Sequence, residues 1–309
     1  MTTTTADPLR ATPARRLGAR LLGPALPYLL HLRPMEWPIL AGHTLIGWLL
    51  ATGLAWPDGR AWLGLALWVI ALNGGTLAIN SAFDRDEGDV AYLRSPPPVP
   101  RGLAGFAMAL MLLGLALAWP LPSTFRLLYI AALVLSIAYS VPPLRFKRIG
   151  GVDWVINMLG FGTFTPWAGW ALTGRPLDLE HGLILWAFCP LFAALYPLTQ
   201  LYQMDEDRAR GDRTLVLRLG PDRSLAMAII LTLVAFVMLA AAAWVGGWPD
   251  AAGLRLALLA LPLVGWLAVL VPWWRHCESW SSAMHQRGMY QALVAWALTD
   301  AGVLLAWTL

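Results

Sequence analysis

Charge is what this chain lacks most. Only 13% of its 309 residues are Asp, Glu, Lys or Arg, where a water-soluble domain carries about a quarter, so a soluble globular fold is excluded. Cysteine is nearly absent as well: Cys189 and Cys277 sit in or beside apolar segments, which rules out a disulfide framework and offers no zinc spacing. Residues 1–20 contain no apolar run followed by a small-residue cleavage site, so no cleaved signal peptide is read there. Residues 1–30 are read instead as a cytoplasmic tail, with Pro8 and Pro13 set against a long amphipathic presequence helix. What the chain does have is apolar residues, 58% of the total, in repeated runs long enough for a hydrocarbon core about 30 Å thick.

Polar, Pro-rich and Gly-rich breaks divide these runs into nine predicted spans, at residues 35–55, 61–82, 103–121, 124–141, 152–173, 182–202, 223–246, 253–273 and 287–307. Pro120 and Pro122 predict a tight hairpin between the third and fourth. Of the 22 Lys and Arg residues, only Arg60, Arg126, Arg175 and Arg255 fall on one set of connectors; the other eighteen share the tail's side. That asymmetry predicts an inside N-terminus and an outside C-terminus. It also accounts for the net charge of +4 as a topological signal, so nucleic-acid binding is excluded. The fold class expected is an all-α integral membrane protein, with about nine transmembrane helices around a central cavity. Residues 31–309 then form one transmembrane domain, two similar four-helix halves plus a ninth helix.

The acids collect on the same face as the cations. Asp84, Asp86, Glu87 and Asp89 follow span 2, behind Asn80, which lies one helical turn before Asp84. Clustered carboxylates repel unless a cation neutralises them, and an oxygen-only ligand set suits Mg²⁺ together with substrate phosphates. A polar Asn inside an apolar helix is costly without a function. After span 6, Tyr202, Gln203, Asp205, Glu206 and Asp207 form a second cluster that runs on to Asp212 and Arg213. Two such clusters, each holding a metal, suit the developing negative charge of one departing pyrophosphate. A third constellation, Tyr139-Ser140 followed by Pro142-Pro143 and Arg145, Lys147 and Arg148, ends span 4. For Arg145 and Lys147, phosphate binding and topological anchoring stand side by side; for Arg148 anchoring is preferred. In span 5, Asp153 either caps the helix start or serves the site, and Asn157, one turn on, faces the cavity or a neighbouring helix.

Three of these motifs, in order, resemble the UbiA superfamily of intramembrane prenyltransferases: Asn80-xxx-Asp84, Tyr139-Ser140 with Pro-Pro-Leu-Arg-x-Lys, and Asp207-xxx-Gly211-x-Arg213-Thr214. The resemblance covers residues 30 to 305. It implies nine helices around a cavity open to lipid and two Asp-rich motifs that bind Mg²⁺ and an isoprenyl diphosphate. Ionisation there gives an allylic cation, which a hydrophobic or aromatic acceptor captures. Carried over, it makes Asp84, Asp86, Asp89, Asp205, Glu206 and Asp207 the metal set, with Asn80 and Tyr139 as catalytic companions. Arg145, Lys147, Arg213, Asn157, Gln203 and Tyr202 are then the substrate-binding set. The chain departs from the family pattern at Gly88 and Gln203, where aspartate is usual, and at Ser81, often acidic.

The reading expected is therefore Mg²⁺-dependent prenyl transfer to an aromatic or lipid acceptor, in a bacterial inner membrane, with no nucleic acid and no obligatory protein partner. A cyclase of the same fold, acting on the diphosphate without an acceptor, is the alternative. A transporter is a remoter one, because its binding residues belong near the membrane midplane rather than at one face.

Overall fold

The computed structural model describes residues 12–84, 93, 95–211, 214–248 and 253–309. Of Glu206 and Arg210 only the backbone is described. Asp86, Asp89, Asp212 and Arg213 therefore lie outside the described residues. All nine predicted spans fall on helix: α3 (Trp37–Thr52), α4 with α5 (Gly59–Ala66, Gly75–Asp84), α6 (Leu103–Leu117), α7 (Ser123–Ser140), α8 with α9 (Val152–Asn157, Thr165–Ala171), α10 (Leu179–Leu201), α12 (Leu215–Val245), α13 (Gly253–His276) and α14 (Ser282–Thr308). Among the described residues, six helical runs are long and apolar enough to cross a membrane. Three further helices stand outside the spans: α1 (Pro13–Leu22) and α2 (Leu26–His31) before α3, and α11 (Met204–Arg210) after α10.

Two spans change pitch midway. Leu67–Gly74 joins α4 to α5, and Met158–Phe164 joins α8 to α9, each as a run of π-helix. Such wide turns are rare and concentrate at functional sites. Here one precedes Asn80 and Asp84, and the other follows Asp153 and Asn157.

The chain forms two compact units. The first comprises Met1–Gly42 and Gly59–Leu144. The α6–α7 hairpin closes there through Pro122, which precedes the first turn of α7, and the Tyr129 hydroxyl ties the pair by donating to the Met111 carbonyl at 3.1 Å. Gly75 lies against Met111, and Gly114 against Tyr129 and Ala71, leaving no room for a Cβ at either glycine. At the end of this unit where span 2 finishes, α2 is pinned to the connector leading to α6. Tyr28 donates to the Arg101 carbonyl at 2.6 Å, and His31 Nε2 lies 3.2 Å from the Pro97 carbonyl. Pro13 occupies the first turn of α1, with Thr12 as its cap. Proline at that position starts a helix rather than spoiling one, which is why an amphipathic α1 forms where the sequence argued against a long one.

The second unit comprises His43–Asp58 and Arg145–Leu309. Its core is aromatic and aliphatic, with Phe188, Leu191, Leu198, Trp266 and Trp273 almost wholly buried. Gly47 of α3 and Gly169 of α9 each place their backbone directly on the other helix: Gly47 on the Pro166 carbonyl, Gly169 on the Thr44 carbonyl. Small residues permit this close approach, as in membrane helix pairs generally. Trp56 and Trp119 are strongly exposed, as interfacial tryptophans should be. Trp273, also near a span end, is 0% exposed. It is a core residue because His285 supplies a buried acceptor for its indole N–H at 2.8 Å. Trp170 is buried and donates to the Arg175 carbonyl at 3.2 Å.

Candidate active site

In the first unit, α5 carries Asn80 one turn before Asp84. The two side chains share a face, and both are half-buried. Asn80 is held from α7, where the Ser140 hydroxyl donates to its Oδ1 at 3.2 Å. One turn below, Thr76 and Ser136 exchange a hydroxyl–hydroxyl bond at 2.7 Å. The α5–α7 seam is therefore a two-rung polar ladder that fixes the rotation of α5 and with it the direction of Asp84. Thr76 and Ser136 were not anticipated; their signal was a hydroxyl on each helix at the i−4 position from Asn80 and Ser140. Tyr139, next to Ser140 at the end of α7, is half-buried. Asp84 is the last described residue of this helical run and shares its face with Asn80.

In the second unit, Arg145 and Lys147 are half-buried and Arg148 is exposed. Arg145 adopts a left-handed backbone (φ 39°) just before the short turn Phe146–Arg148. Asp153, 3% exposed, is held twice: Oδ1 accepts the Gly151 N–H at 2.8 Å and Oδ2 accepts the Tyr196 hydroxyl at 3.2 Å. Asn157 turns its amide back to the Asp153 carbonyl at 2.8 Å. At the end of α10, Gln203 Nε2 donates to the Tyr202 hydroxyl at 3.2 Å, and Gln203 stands just before α11 without a capping side-chain hydrogen bond.

Two of the three acids of α11, Asp205 and Asp207, differ sharply. Asp205 has 83% of its side chain exposed and pairs with Arg208 at 3.0 Å, whereas Asp207 is only 4% exposed. Two residues apart on a helix means opposite faces, so the buried position falls to Asp207. Among the described residues no group of three or more His, Cys, Asp or Glu lies close enough to hold a metal.

A further buried pair escaped the sequence reading. His43 Nδ1 lies 3.0 Å from Asp300 Oδ1, and the His43 ring packs edge-on against Phe188 and Trp296. Phe192 continues this aromatic file, edge-on to Trp296 and stacked on Tyr196 and Phe161. The file connects the His43–Asp300 pair to the Tyr196–Asp153 pair within one unit. Each ionisable residue stood out in an apolar run, but nothing in the sequence linked them across 257 positions.

Residues 37–299 match the model of the UbiA prenyltransferase family. The chain belongs to that family. It is 29% identical over 274 residues to a digeranylgeranylglyceryl phosphate synthase of Natronomonas pharaonis, covering 86% of this chain and 94% of the relative. It is 30% identical over 204 residues to a lycopene elongase/hydratase of Halobacterium salinarum, covering 63% and 71%. The fold matches a UbiA homolog from Archaeoglobus fulgidus bound to DMAPP and Mg²⁺, with TM-score 0.61, 21% identity, and 89% and 98% of the two chains covered. A solved digeranylgeranylglyceryl phosphate synthase matches with TM-score 0.69, 13% identity, and 92% and 99% covered. The protein is thus an integral membrane prenyltransferase of UbiA type, as its motifs implied.

Proposed function

We propose that this UbiA-family protein transfers an isoprenyl group from an isoprenyl diphosphate to a hydrophobic acceptor, aromatic or lipid, in a Mg²⁺-dependent reaction. The observation that carries the metal reading is Asp84 on one face of α5 with Asn80, which Ser140 locks in place. Carboxylate oxygens of this kind suit Mg²⁺. Asp84, with Asp86 and Asp89, would hold one ion, and the buried Asp207, with Glu206, would hold a second. Asp205, engaged by Arg208 at the surface, takes a secondary place. Bound Mg²⁺ supplies shielding of the charge that builds on a departing diphosphate.

The chain's own residues do the rest. Asn80 orients the first acid motif, and Arg145, Lys147 and Arg213 bind phosphate oxygens. Tyr139 and Tyr202 face the allylic cation or donate to the diphosphate, and Gln203 keeps Tyr202 in place. Asn157, turned toward its own helix in this structure, lines the acceptor side. The active face lies with the N-terminus on the cytoplasmic side of a bacterial inner membrane. Support for prenyl transfer comes from the family and from the named activities of the two relatives.

Incubating the purified protein with DMAPP or GPP, Mg²⁺ and a lipid extract, followed by mass spectrometry, tests the reading. The expected result is a prenylated acceptor, with Asp84→Asn reducing its rate by about a hundredfold or more. A hydrocarbon formed from the diphosphate and Mg²⁺ alone identifies a cyclase instead.

A further inference from the structure

Arg33 is a buried cation that the prenyl-transfer chemistry leaves without a task. It lies between α2 and α3, is 6% exposed, and holds a left-handed backbone (φ 51°, ψ 62°). A non-glycine residue in that region is strained, and strain of this kind collects at functional sites. Its Nη1 lies 3.6 Å from Glu36 Oε1, an ion pair too long for a hydrogen bond. Its Nε and Nη2 are sealed from solvent and have no hydrogen-bond partner among the described residues. These two N–H groups share one edge of the guanidinium, the side-on fork that fits two oxygens of a phosphate. Burying charged donors unpaired is unfavourable; Glu36 Oε1, itself buried without a hydrogen-bond partner among the described residues, stands off Nη1, which leaves the Nε–Nη2 edge as a fork without an acceptor.

The surroundings point the same way. Leu32, the residue before Arg33, packs on Gly74. Gly74 follows Asn73, which is 7% exposed and whose Nδ2 is also buried with no partner among the described residues. His31, on the other side, is pinned near the Pro97 carbonyl, which fixes the turn that presents Arg33. Two unfilled side-chain donors thus come from neighbouring stretches of the same unit, and both require an acceptor.

We propose that Arg33 and Asn73 form a phosphate-binding site, with the Arg33 fork taking two phosphate oxygens and Asn73 a third contact. The phosphate belongs either to the diphosphate of the prenyl donor or to a phosphate-headed lipid. The inference rests on the prenyl-transfer reading only for its choice of probes.

The test uses the full-length protein in detergent with Mg²⁺. Affinities for inorganic pyrophosphate and for phosphatidic acid are measured by titration calorimetry, alongside the unfolding midpoint without ligand. Arg33→Gln is expected to weaken one of the two probes by about tenfold or more, with Arg33→Lys, a point charge without the fork, recovering only part of the loss. Loss on pyrophosphate assigns the site to the donor; loss on phosphatidic acid assigns it to a lipid. Asn73→Leu, which keeps the charge, is expected to weaken the same probe while leaving the unfolding midpoint unchanged or raised. Unaltered affinity for both probes in Arg33→Gln and Asn73→Leu overturns the proposal and makes these residues structural. Asp84→Asn separates the two readings. If it abolishes Mg²⁺-dependent pyrophosphate binding while the Arg33 and Asn73 variants bind both probes normally, this inference falls and the prenyl-transfer reading stands. If Asp84→Asn binds normally, the reading itself falls.

Discussion

The Tyr196 hydroxyl donates to Oδ2 of Asp153 at 3.2 Å while Oδ1 takes the Gly151 N–H at 2.8 Å. A carboxylate 3% exposed is tolerable only with such donors. Tyr196→Phe removes one of them and is expected to lower unfolding stability by about 1–3 kcal/mol. Chemical or thermal unfolding in detergent, followed by circular dichroism, measures it. A change below the error of that experiment shows that other groups satisfy Asp153 without Tyr196.

The bond from Ser140 to Asn80 predicts a different balance of effects. Ser140→Ala should lower stability by only about 0.5–1.5 kcal/mol. Prenyl transfer should fall further than that loss of folding explains, because Asn80 sets the direction of the first acid motif. Comparing initial rates with the folded fraction at the assay temperature separates the two. Activity that tracks the folded fraction alone makes the bond purely structural.

Gly47 and Gly169 predict severe overpacking. A methyl at either glycine meets the backbone carbonyl of the facing helix, which cannot rotate away as a side chain does. Gly47→Ala and Gly169→Ala should each cost about 3 kcal/mol or more, the upper end of what overpacking does. Gly42→Ala meets nothing within 4 Å and serves as the silent control. Equal melting temperatures for Gly42→Ala and Gly47→Ala contradict the close approach.

His31 predicts a pH dependence. Burial chiefly pushes its imidazole below the ordinary value of 6.5, and Arg33 acts in the same direction, while the Pro97 carbonyl opposes both. The unfolded chain therefore takes up a proton at higher pH than the folded one. The stability this group contributes is full above about 6.5 and is lost as the pH falls through the depressed value. The melting temperature of the wild type should drop on acidification below pH 6.5 more steeply than that of His31→Gln. Parallel curves for the two proteins defeat the prediction.

How much of this was legible beforehand depends on whether the information is local. The spans were, because a bilayer demands about 20 apolar residues wherever it is crossed, and each run announces itself. The positions of Asn80 and Asp84 on one helix face followed from their spacing alone. The contrast between Asp205 and Asp207 did not, since a sequence shows two acids and only the packing of α11 shows which one is covered. Trp273 looked like any other tryptophan near a span end until His285 supplied its acceptor. His43 and Asp300 each broke an apolar run visibly, yet their pairing depends on which helices become neighbours, and no local pattern encodes that. Arg33 was counted with the basic tail, because burial and an unfilled donor edge are properties of the folded chain.

The π-helical run at Leu67–Gly74 gives span 2 the character of a geared shaft. An α-helix turns by about 100° per residue, and a wide turn accommodates residues that a regular helix of the same length would not. Everything beyond Gly74 is therefore out of phase with what α4 alone would dictate, including Thr76, Asn80 and Asp84. Deleting a single residue between 67 and 74 is absorbed when the run relaxes to regular helix, so those three side chains largely keep their direction. The same deletion between 75 and 79, where the helix is already regular, turns Asn80 and Asp84 by about 100° against α4. Span 2 thus has one stretch that tolerates a change of length and one that does not.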